Sequence, residues 1–392
     1  MKQKSFLKQA GGAIMKKPLA FLFITAMILC LNGCGSGIAV KESSKASAET
    51  KSEEAEAAQA TAKAATATTS TAATKAVRAT PSVPELVLKY GEVNPEGNID
   101  TKVAEKFAEY VYELSDGRIK VDIFPGAVLG DEKTSLNSLK TGNGLLDLYR
   151  VNTNVLTGYG FKKLNLFGLP YIFKSREGMW KVLDNKELGR AFLNEGQEIG
   201  ANMVGLFYTD EGARNIFTTE PMKGLADLKG KRIRVPESVL MMDTISALGA
   251  QPIPMRYEDL YNALANGDVE GAENPIPAYL SNRLYEVAPY YLLSGHVFSP
   301  GIIMMSERKW NTLSKEDQNL LREAGKMASE WNKKEIVSVE EKLKKEMVDK
   351  GVTVIPLTHN EENEARKDEE IVRVSFTPGL ERWLYKIIDI QK

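Results

Sequence analysis

The stretch "ELVLKYGEVNPEGNIDTKVAEKFAEYVYELSDGRIKVDIFPG" (residues 85–126) contains the pattern that decides the fold. Its first nine residues are strand-like, and its last nine alternate apolar with polar side chains as far as Pro125. Between them, apolar residues recur at helical spacing before a glycine stop at Gly117, namely at Val103, Phe107, Val111 and Leu114. A strand, a helix and a strand in this order predict two parallel strands with a right-handed crossover, and therefore an α/β fold.

A second pattern, a helix that ends at glycine and is followed by a strand, occurs twice further along the chain. Residues 136–152 and 260–275 each contain a helix that closes on glycine and then a strand whose carboxyl end carries an asparagine, Asn152 or Asn274. In open α/β sheets, ligands bind outside the carboxyl ends of the strands. Two copies of the unit therefore favour two lobes that face a common cleft. Residues 313–351 are expected to form one or two long helices bracing both lobes, with Ser314 as the N-cap.

The first 84 residues resemble an export signal followed by a tether. Lys16 and Lys17 precede an apolar run of signal-peptide length, which ends in "LNGC" at Cys34. A small residue directly before a cysteine resembles the bacterial lipobox, so residues 1–33 are predicted to be a lipoprotein signal peptide and Cys34 the lipidated residue. An uncleaved anchor helix with an incidental cysteine is the alternative. Residues 34–84 are rich in Ala and Thr and poor in large apolar side chains, which predicts a disordered tether.

Composition excludes several classes of function. The formal net charge is −1, which gives no basic field for binding nucleic acid. The two cysteines, Cys30 and Cys34, both precede the predicted folded region, so a disulfide framework and cysteine-based metal sites are excluded there. The two histidines are far apart, and no phosphate-binding glycine loop or nucleophile–base motif is present. These features favour ligand binding over catalysis, with neither a metal nor a cofactor.

An arginine in an apolar strand is the strongest candidate for binding an anion. In "KGKRIRVPES" (229–238), Arg234 lies between Ile233 and Val235, just before Pro236. Burying an unpaired guanidinium is costly, whereas a carboxylate can accept two parallel hydrogen bonds from it. Arg214 and Arg150 are further candidates at strand ends. For each arginine, a solvated side chain or a structural ion pair is the alternative.

Three asparagines complete the candidate site. Asn94, Asn152 and Asn274 follow predicted strands, and each offers both a donor and an acceptor that suit hydroxyl or carboxylate oxygens. For Asn274, which precedes Pro275, simple turn chemistry is an equally acceptable explanation.

Seven motifs in sequence order resemble the extracytoplasmic solute receptors of tripartite ATP-independent periplasmic (TRAP) transporters, the DctP-like family, over residues 85–392. These motifs are "LKYGEVNPEGN", "GRIKVDIFPGAVLGDE", "NLFGLPYIF", "GLADLKGKRIRVPES", "ALGAQPIPMRYEDLYNAL", "GDVEGAENP" and "RLYEVAPYYLLSGHVFSP". The resemblance implies a two-lobed periplasmic-binding-protein-like fold with a central ligand cleft and a long C-terminal bracing helix. It also implies a monomeric receptor, not an enzyme, that delivers an organic acid to membrane permease subunits.

The resemblance also implies roles for individual residues. Arg234 occupies the position of the family's selectivity arginine, Arg214 that of a second ligand arginine, and Asn274 that of a ligand asparagine. Asn94 and Asn152 match further polar site positions, and Tyr257 is expected to cover the ligand. The implied boundaries are 85–211 plus 300–340 for lobe I, and 212–299 plus 341–392 for lobe II.

Arg150 leaves the class of ligand open. If Arg150 points into the cleft, three cations suit a dicarboxylate. If it points away or pairs with Asp210 or Glu211, the remaining site suits a hydroxylated monocarboxylate such as a uronate or an aldonate, which we favour. A sensor that engages a chemoreceptor or a kinase is the alternative to a transport receptor. The expected location is extracytoplasmic, with a lipid anchor to the cell membrane.

Overall fold

The computed structural model describes residues 83–392, so the predicted signal peptide, Cys34 and nearly all of the tether lie outside the described residues. In this region the β-strands are β1 (Leu86–Gly91), β2 (Ile119–Phe124), β3 (Leu148–Asn152), β4 (Met203–Thr209), β5 (Arg214–Thr218), β6 (Arg232–Val235), β7 (Gln251–Pro254), β8 (Gly271–Asn274), β9 (Tyr290–Val297), β10 (Gly301–Ser306) and β11 (Thr353–Pro356).

The α-helices in the same region are α1 (Ile99–Leu114), α2 (Glu132–Thr141), α3 (Arg176–Leu183), α4 (Leu188–Leu193), α5 (Glu195–Glu198), α6 (Val239–Ala247), α7 (Leu260–Asn266), α8 (Ile276–Ser281), α9 (Glu307–Trp310), α10 (Lys315–Asp349), α11 (His359–Asp368), α12 (Glu370–Phe376) and α13 (Glu381–Ile390). None of the helices in residues 83–392 has the length and hydropathy needed to cross a lipid bilayer.

The strands form two mixed sheets, one in each lobe. The first sheet has the order β2-β1-β3-β10-β4, and the second has the order β11-β9-β5-β8-β6-β7. As predicted for residues 85–126, β1 and β2 are parallel neighbours joined through α1. Strand β10 follows β9 of the second sheet but inserts antiparallel between β3 and β4 of the first. The chain therefore crosses between the lobes more than once, which ties them to each other.

Each sheet separates two hydrophobic cores because alternate side chains point to opposite faces. On β3, Tyr149 and Val151 pack into one core with helices α3 and α4, whereas Leu148 packs into the other with α1 and α10. Arg150 and Asn152 share the face of Leu148 and come last on the strand. The period-two pattern therefore directs both polar side chains to the sheet edge where β3 ends.

Helix α10 contacts both lobes, as expected of a bracing helix. The Ser314 side chain caps it by accepting a hydrogen bond from the Asp317 main-chain nitrogen, as predicted. The helix packs on α1 and β4 of the first lobe and on α8 and β11 of the second. The two-lobed α/β architecture predicted from the sequence is confirmed.

The C-terminal segment differs from the expected boundary. Residues 341–392 were assigned to lobe II, but Ile387 of α13 lies in a core of the first lobe. The Gln391 side chain also hydrogen-bonds the main chain of Ile172 and Lys174, at 3.0 and 2.9 Å. The apolar face of α13 needs a partner surface, and its sequence does not specify which lobe supplies one. The remaining lobe boundaries stay a prediction.

Candidate functional site

A cavity lies where strand ends of the two sheets meet, and side chains from both lobes line it. From the first lobe come Val93, Asn94, Asp100, Glu132, Arg150, Asn152, Val155 and Glu211, and from the second Arg214, Arg234, Pro236, Tyr257, Asn274, Pro275 and Ala278. All seven predicted ligand-binding residues are in this set. We call this space, lined by these residues, the inner chamber.

Arg234 is a buried cation in the inner chamber without a carboxylate partner among residues 83–392. Its Nε and Nη2 groups both donate to the Met255 main-chain oxygen, at 3.0 and 2.6 Å. The guanidinium lies 5.6 Å from the centre of the Tyr257 ring, and only 2% of the residue is exposed. Burial lowers the pKa of Arg234, and Arg214 contributes in the same direction. The site therefore carries a positive charge that an anion would stabilise.

Arg214, in contrast, is already neutralised. It forms an ion pair with Glu273 through Nε, and its Nη2 group donates to Glu273 Oε1 at 2.7 Å and to Asn274 Oδ1 at 3.2 Å. Burial disfavours the charged form of Arg214, but the Glu273 carboxylate outweighs it and raises the pKa of Arg214. Arg214 therefore orients Asn274 and adds no uncompensated charge.

Arg150 is surrounded by three buried carboxylates. Its Nε donates to Glu92 Oε2 at 2.9 Å, its Nη1 donates to Glu211 Oε1 at 2.8 Å, and Asp100 Oδ2 is 3.9 Å from Nη2. Burial opposes the charge of Arg150, yet these acids raise its pKa well above the ordinary value. Arg150 lines the inner chamber, as in the first arrangement considered for it, but it is paired with Glu211, as in the second.

The asparagines divide into two groups. Asn152 donates to Glu211 Oε2 and to Ser299, and Asn94 donates to Asp100 Oδ2 at 3.0 Å, so both amide groups are occupied by protein partners. Asn274 differs because its buried Nδ2 group has no hydrogen-bond partner among the described residues. That donor is free for a ligand oxygen.

Other polar atoms of the inner chamber also lack partners in the described part of the chain. The buried Tyr257 hydroxyl and Asp100 Oδ1 make no hydrogen bond. Burial raises the pKa of Asp100 well above its usual range, with Arg150 opposing the shift. Burial likewise raises the pKa of Glu132 to about 7, against the opposing effects of Arg150 and Arg234. Buried polar groups are normally satisfied, so these atoms indicate a site made for a polar ligand.

Comparisons with known proteins identify the family of this chain. The model of the DctP family, bacterial extracellular solute-binding protein family 7, matches residues 90–373. The chain belongs to this family. A solute-binding protein of Chromohalobacter salexigens is 31% identical over 67% of this chain and 76% of its own length.

Two solved TRAP periplasmic solute-binding proteins illustrate the similarity in structure. One, from a Bradyrhizobium species and in complex with α/β-D-galacturonate, is 34% identical, with a TM-score of 0.72 over 78% of this chain and 99% of its own. Another, from Sulfurospirillum deleyianum and with bound succinate, is 26% identical, with a TM-score of 0.72 over 79% of this chain and 100% of its own. This chain is thus a TRAP solute-binding protein, a member of an extracytoplasmic receptor family.

Sequence reasoning about this TRAP solute-binding protein missed most of its acidic residues. Glu92, Asp100, Glu132 and Glu273 were not identified, and Glu211 was considered only as a partner of Arg150. Glu273 offered a usable signal, since a carboxylate in the short strand "GAEN" implies a buried counter-ion. Within residues 83–392, no three His, Cys, Asp or Glu side chains are arranged to hold a metal ion.

Proposed function

We propose that this receptor binds a hydroxylated monocarboxylate, a uronate or an aldonate, and that Arg234 holds its carboxylate. The observation that carries this proposal is the charge state of the three buried arginines in the described region. Arg150 and Arg214 are each paired with acids, whereas Arg234 is bound only to the Met255 carbonyl. One uncompensated cation suits one carboxylate. A dicarboxylate would place its second charge near Asp100, Glu132 or Glu211.

The remaining polar atoms support hydroxyl groups as the other ligand feature. A sugar hydroxyl both donates and accepts, and the chamber offers free polar atoms on Asn274, Asp100 and Tyr257. The galacturonate complex of the Bradyrhizobium relative supports the same ligand class. A C4-dicarboxylate, the class to which the succinate of the Sulfurospirillum protein belongs, is the second choice.

The receptor is further proposed to act as a lipid-anchored monomer that delivers its ligand to TRAP permease subunits. Cys34 would carry the lipid, and residues 34–84 would let the folded region move away from the membrane surface while it remains attached. In proteoliposomes containing the permease subunits, uptake of the acid should then depend on added receptor.

A thermal-shift screen tests the ligand class directly. Galacturonate, glucuronate, gluconate and succinate should be compared, because a ligand at a hundredfold excess over its dissociation constant stabilises the folded state by about 2.7 kcal/mol. We expect stabilisation by sugar acids and little effect of succinate. Stabilisation by succinate alone would overturn the monocarboxylate assignment, and no response to any of these acids would overturn the proposed function.

A further inference from the structure

A second cavity adjoins the inner chamber at Arg234. Glu132, Val155, Arg234, Pro236 and Tyr257 line both spaces and therefore form the neck between them. We call the second cavity the outer chamber. The other residues that line it are Asp131, Lys133, Leu136, Asn137, Lys140, Gly158, Tyr159, Glu237, Met255, Arg256 and Glu258.

The two chambers differ greatly in size. The inner chamber has a cavity volume of about 50 Å³, and the outer chamber about 360 Å³. Since one water needs roughly 10–15 Å³ on this scale, the inner chamber holds only a few water-sized groups. A whole sugar acid is larger than that. With its carboxylate at Arg234, the ligand must therefore extend through the neck into the outer chamber.

The walls of the outer chamber have the chemistry of a carbohydrate subsite. Tyr159 and Tyr257 provide aromatic surface, Asn137 provides an amide, and Glu237 provides an acceptor for hydroxyl groups. Burial, together with the neighbouring acids Glu132, Asp131 and Glu237, raises the pKa of Tyr159 to about 12. The Tyr159 hydroxyl thus stays protonated and can donate.

The charges in the outer chamber are balanced. Its lining has four cationic side chains, Lys133, Lys140, Arg234 and Arg256, and four acidic ones, Asp131, Glu132, Glu237 and Glu258. Arg256 donates to Asp131 at 2.9 Å, and Arg234 is assigned to the ligand carboxylate. The outer chamber therefore favours a neutral polar group over a second acid.

We propose that the outer chamber is a subsite for a second, neutral sugar ring, so that the physiological ligand is a disaccharide acid. This inference rests on the proposed function, because the carboxylate at Arg234 fixes which end of the ligand enters the inner chamber. The ring that carries the carboxylate extends through the neck, and the neutral ring lies beyond it in the outer chamber, against Tyr159.

Calorimetry with two matched pairs of acids tests the subsite. Gluconate is compared with lactobionate, and glucuronate with glucuronosyl-xylose, so that each pair differs by one neutral sugar ring. Contact of that ring with Tyr159 predicts up to about tenfold tighter binding of the disaccharide in at least one pair. Tyr159→Ala should remove this advantage and leave the affinity for the monosaccharide acid unchanged, and Tyr159→Phe should retain most of it. Tyr112→Ala, on the exposed surface of α1, is the control.

The outcomes separate this inference from the function on which it rests. A tenfold advantage that disappears in Tyr159→Ala supports the subsite. Monosaccharide acids that bind as tightly as their disaccharide partners overturn the subsite and leave the proposed function standing. An equal loss for both members of a pair in Tyr159→Ala also overturns the role of Tyr159 in the subsite. Failure of all four acids to bind overturns the proposed function itself.

Discussion

The guanidinium of Arg234 is fixed by the main-chain oxygen of Met255, which accepts hydrogen bonds from both Nε and Nη2. Met255 follows β7, and β7 pairs in parallel with β6, which carries Arg234. A backbone carbonyl orients the guanidinium but leaves its charge uncompensated, whereas a carboxylate would neutralise that charge. The charge is therefore positioned in advance for an incoming anion, which lowers the entropic cost of binding.

Removing Arg234 should abolish ligand binding. Arg234→Ala deletes a buried, charge-assisted contact of about 2–5 kcal/mol, which predicts a loss of affinity of at least thirtyfold. Arg234→Lys should bind detectably but weakly, because an ammonium group cannot form the paired hydrogen bonds of a guanidinium. Calorimetry with the best sugar acid measures both effects. Arg232→Ala, a half-exposed position on the same strand, is the matched control, and equal affinity in Arg234→Ala and this control would reject the assignment.

Removing Arg150 should destabilise the fold. Arg150→Ala leaves Glu92, Asp100 and Glu211 buried without their shared cation, at a cost of about 3–5 kcal/mol near neutral pH. Arg150 opposes the raised pKa of Asp100, so its removal favours the protonated form of the Asp100 carboxyl in the folded state still further. The penalty from this group is therefore largest above neutral pH and should shrink as pH falls towards about 4, the ordinary pKa of an unfolded aspartate. Urea unfolding measures it, and Arg382→Ala, an exposed position, should be nearly neutral.

Binding of an acid should weaken as pH rises through neutrality. Burial raises the pKa of Glu132 to about 7, and an anion at Arg234 would raise it further in the bound state. Because binding then favours the protonated form, affinity is highest below about pH 7 and falls above it, by up to tenfold for each pH unit. Glu132→Gln should bind with nearly constant affinity from about pH 6 to about pH 8.5 when calorimetry is repeated. An unchanged slope in Glu132→Gln would show that another group titrates.

An ion pair across the cleft should slow ligand release. Arg256 of the second lobe donates to Asp131 of the first at 2.9 Å, beside a hydrogen bond of 3.2 Å from the Glu132 main-chain nitrogen to Glu258. Both Arg256 and Asp131 are partly exposed, so the pair is screened by solvent and contributes only weakly. Stopped-flow measurement of Arg256→Ala should therefore show release about two- to fivefold faster. Arg283→Ala breaks a similar pair within one lobe, and a matching increase there would argue against the interpretation.

Local sequence patterns correctly predicted the strands that carry several residues of the site. The alternation of Ile233, Arg234 and Val235 predicted a buried strand, and the structure confirms the strand and the burial of all three residues. Asn152 and Asn274 lie at strand ends, as the helix–glycine–strand units predicted. These features depend on residues that are close in sequence, where periodicity is a direct physical constraint.

Partnerships over long sequence separations could not be predicted in the same way. Arg150 meets Glu92 and Glu211, which are 58 and 61 residues away in the chain. The pattern around Arg150 alone is equally compatible with a ligand-binding cation. Only the strand order of the sheet, in which β1 is next to β3 and β4 is two strands away, decides between the two. The docking of α13 on the first lobe depends in the same way on which apolar surface the rest of the fold leaves uncovered.

Helix α10 is a rod of 35 residues that rests on both halves of the receptor. Near its middle, Ser329 donates to the Tyr208 main-chain oxygen at 2.6 Å, and Asn332 binds the main chain of Asp210, where the chain leaves β4 for the second lobe. At a rise of 1.5 Å per residue the rod is about 50 Å long. When the two lobes separate to admit a solute, α10 has to bend, or one of its ends has to slide over the surface on which it packs. Opening therefore strains α10. The angle between the two lobes of the empty receptor then depends partly on the stiffness of a helix that is remote from the solute.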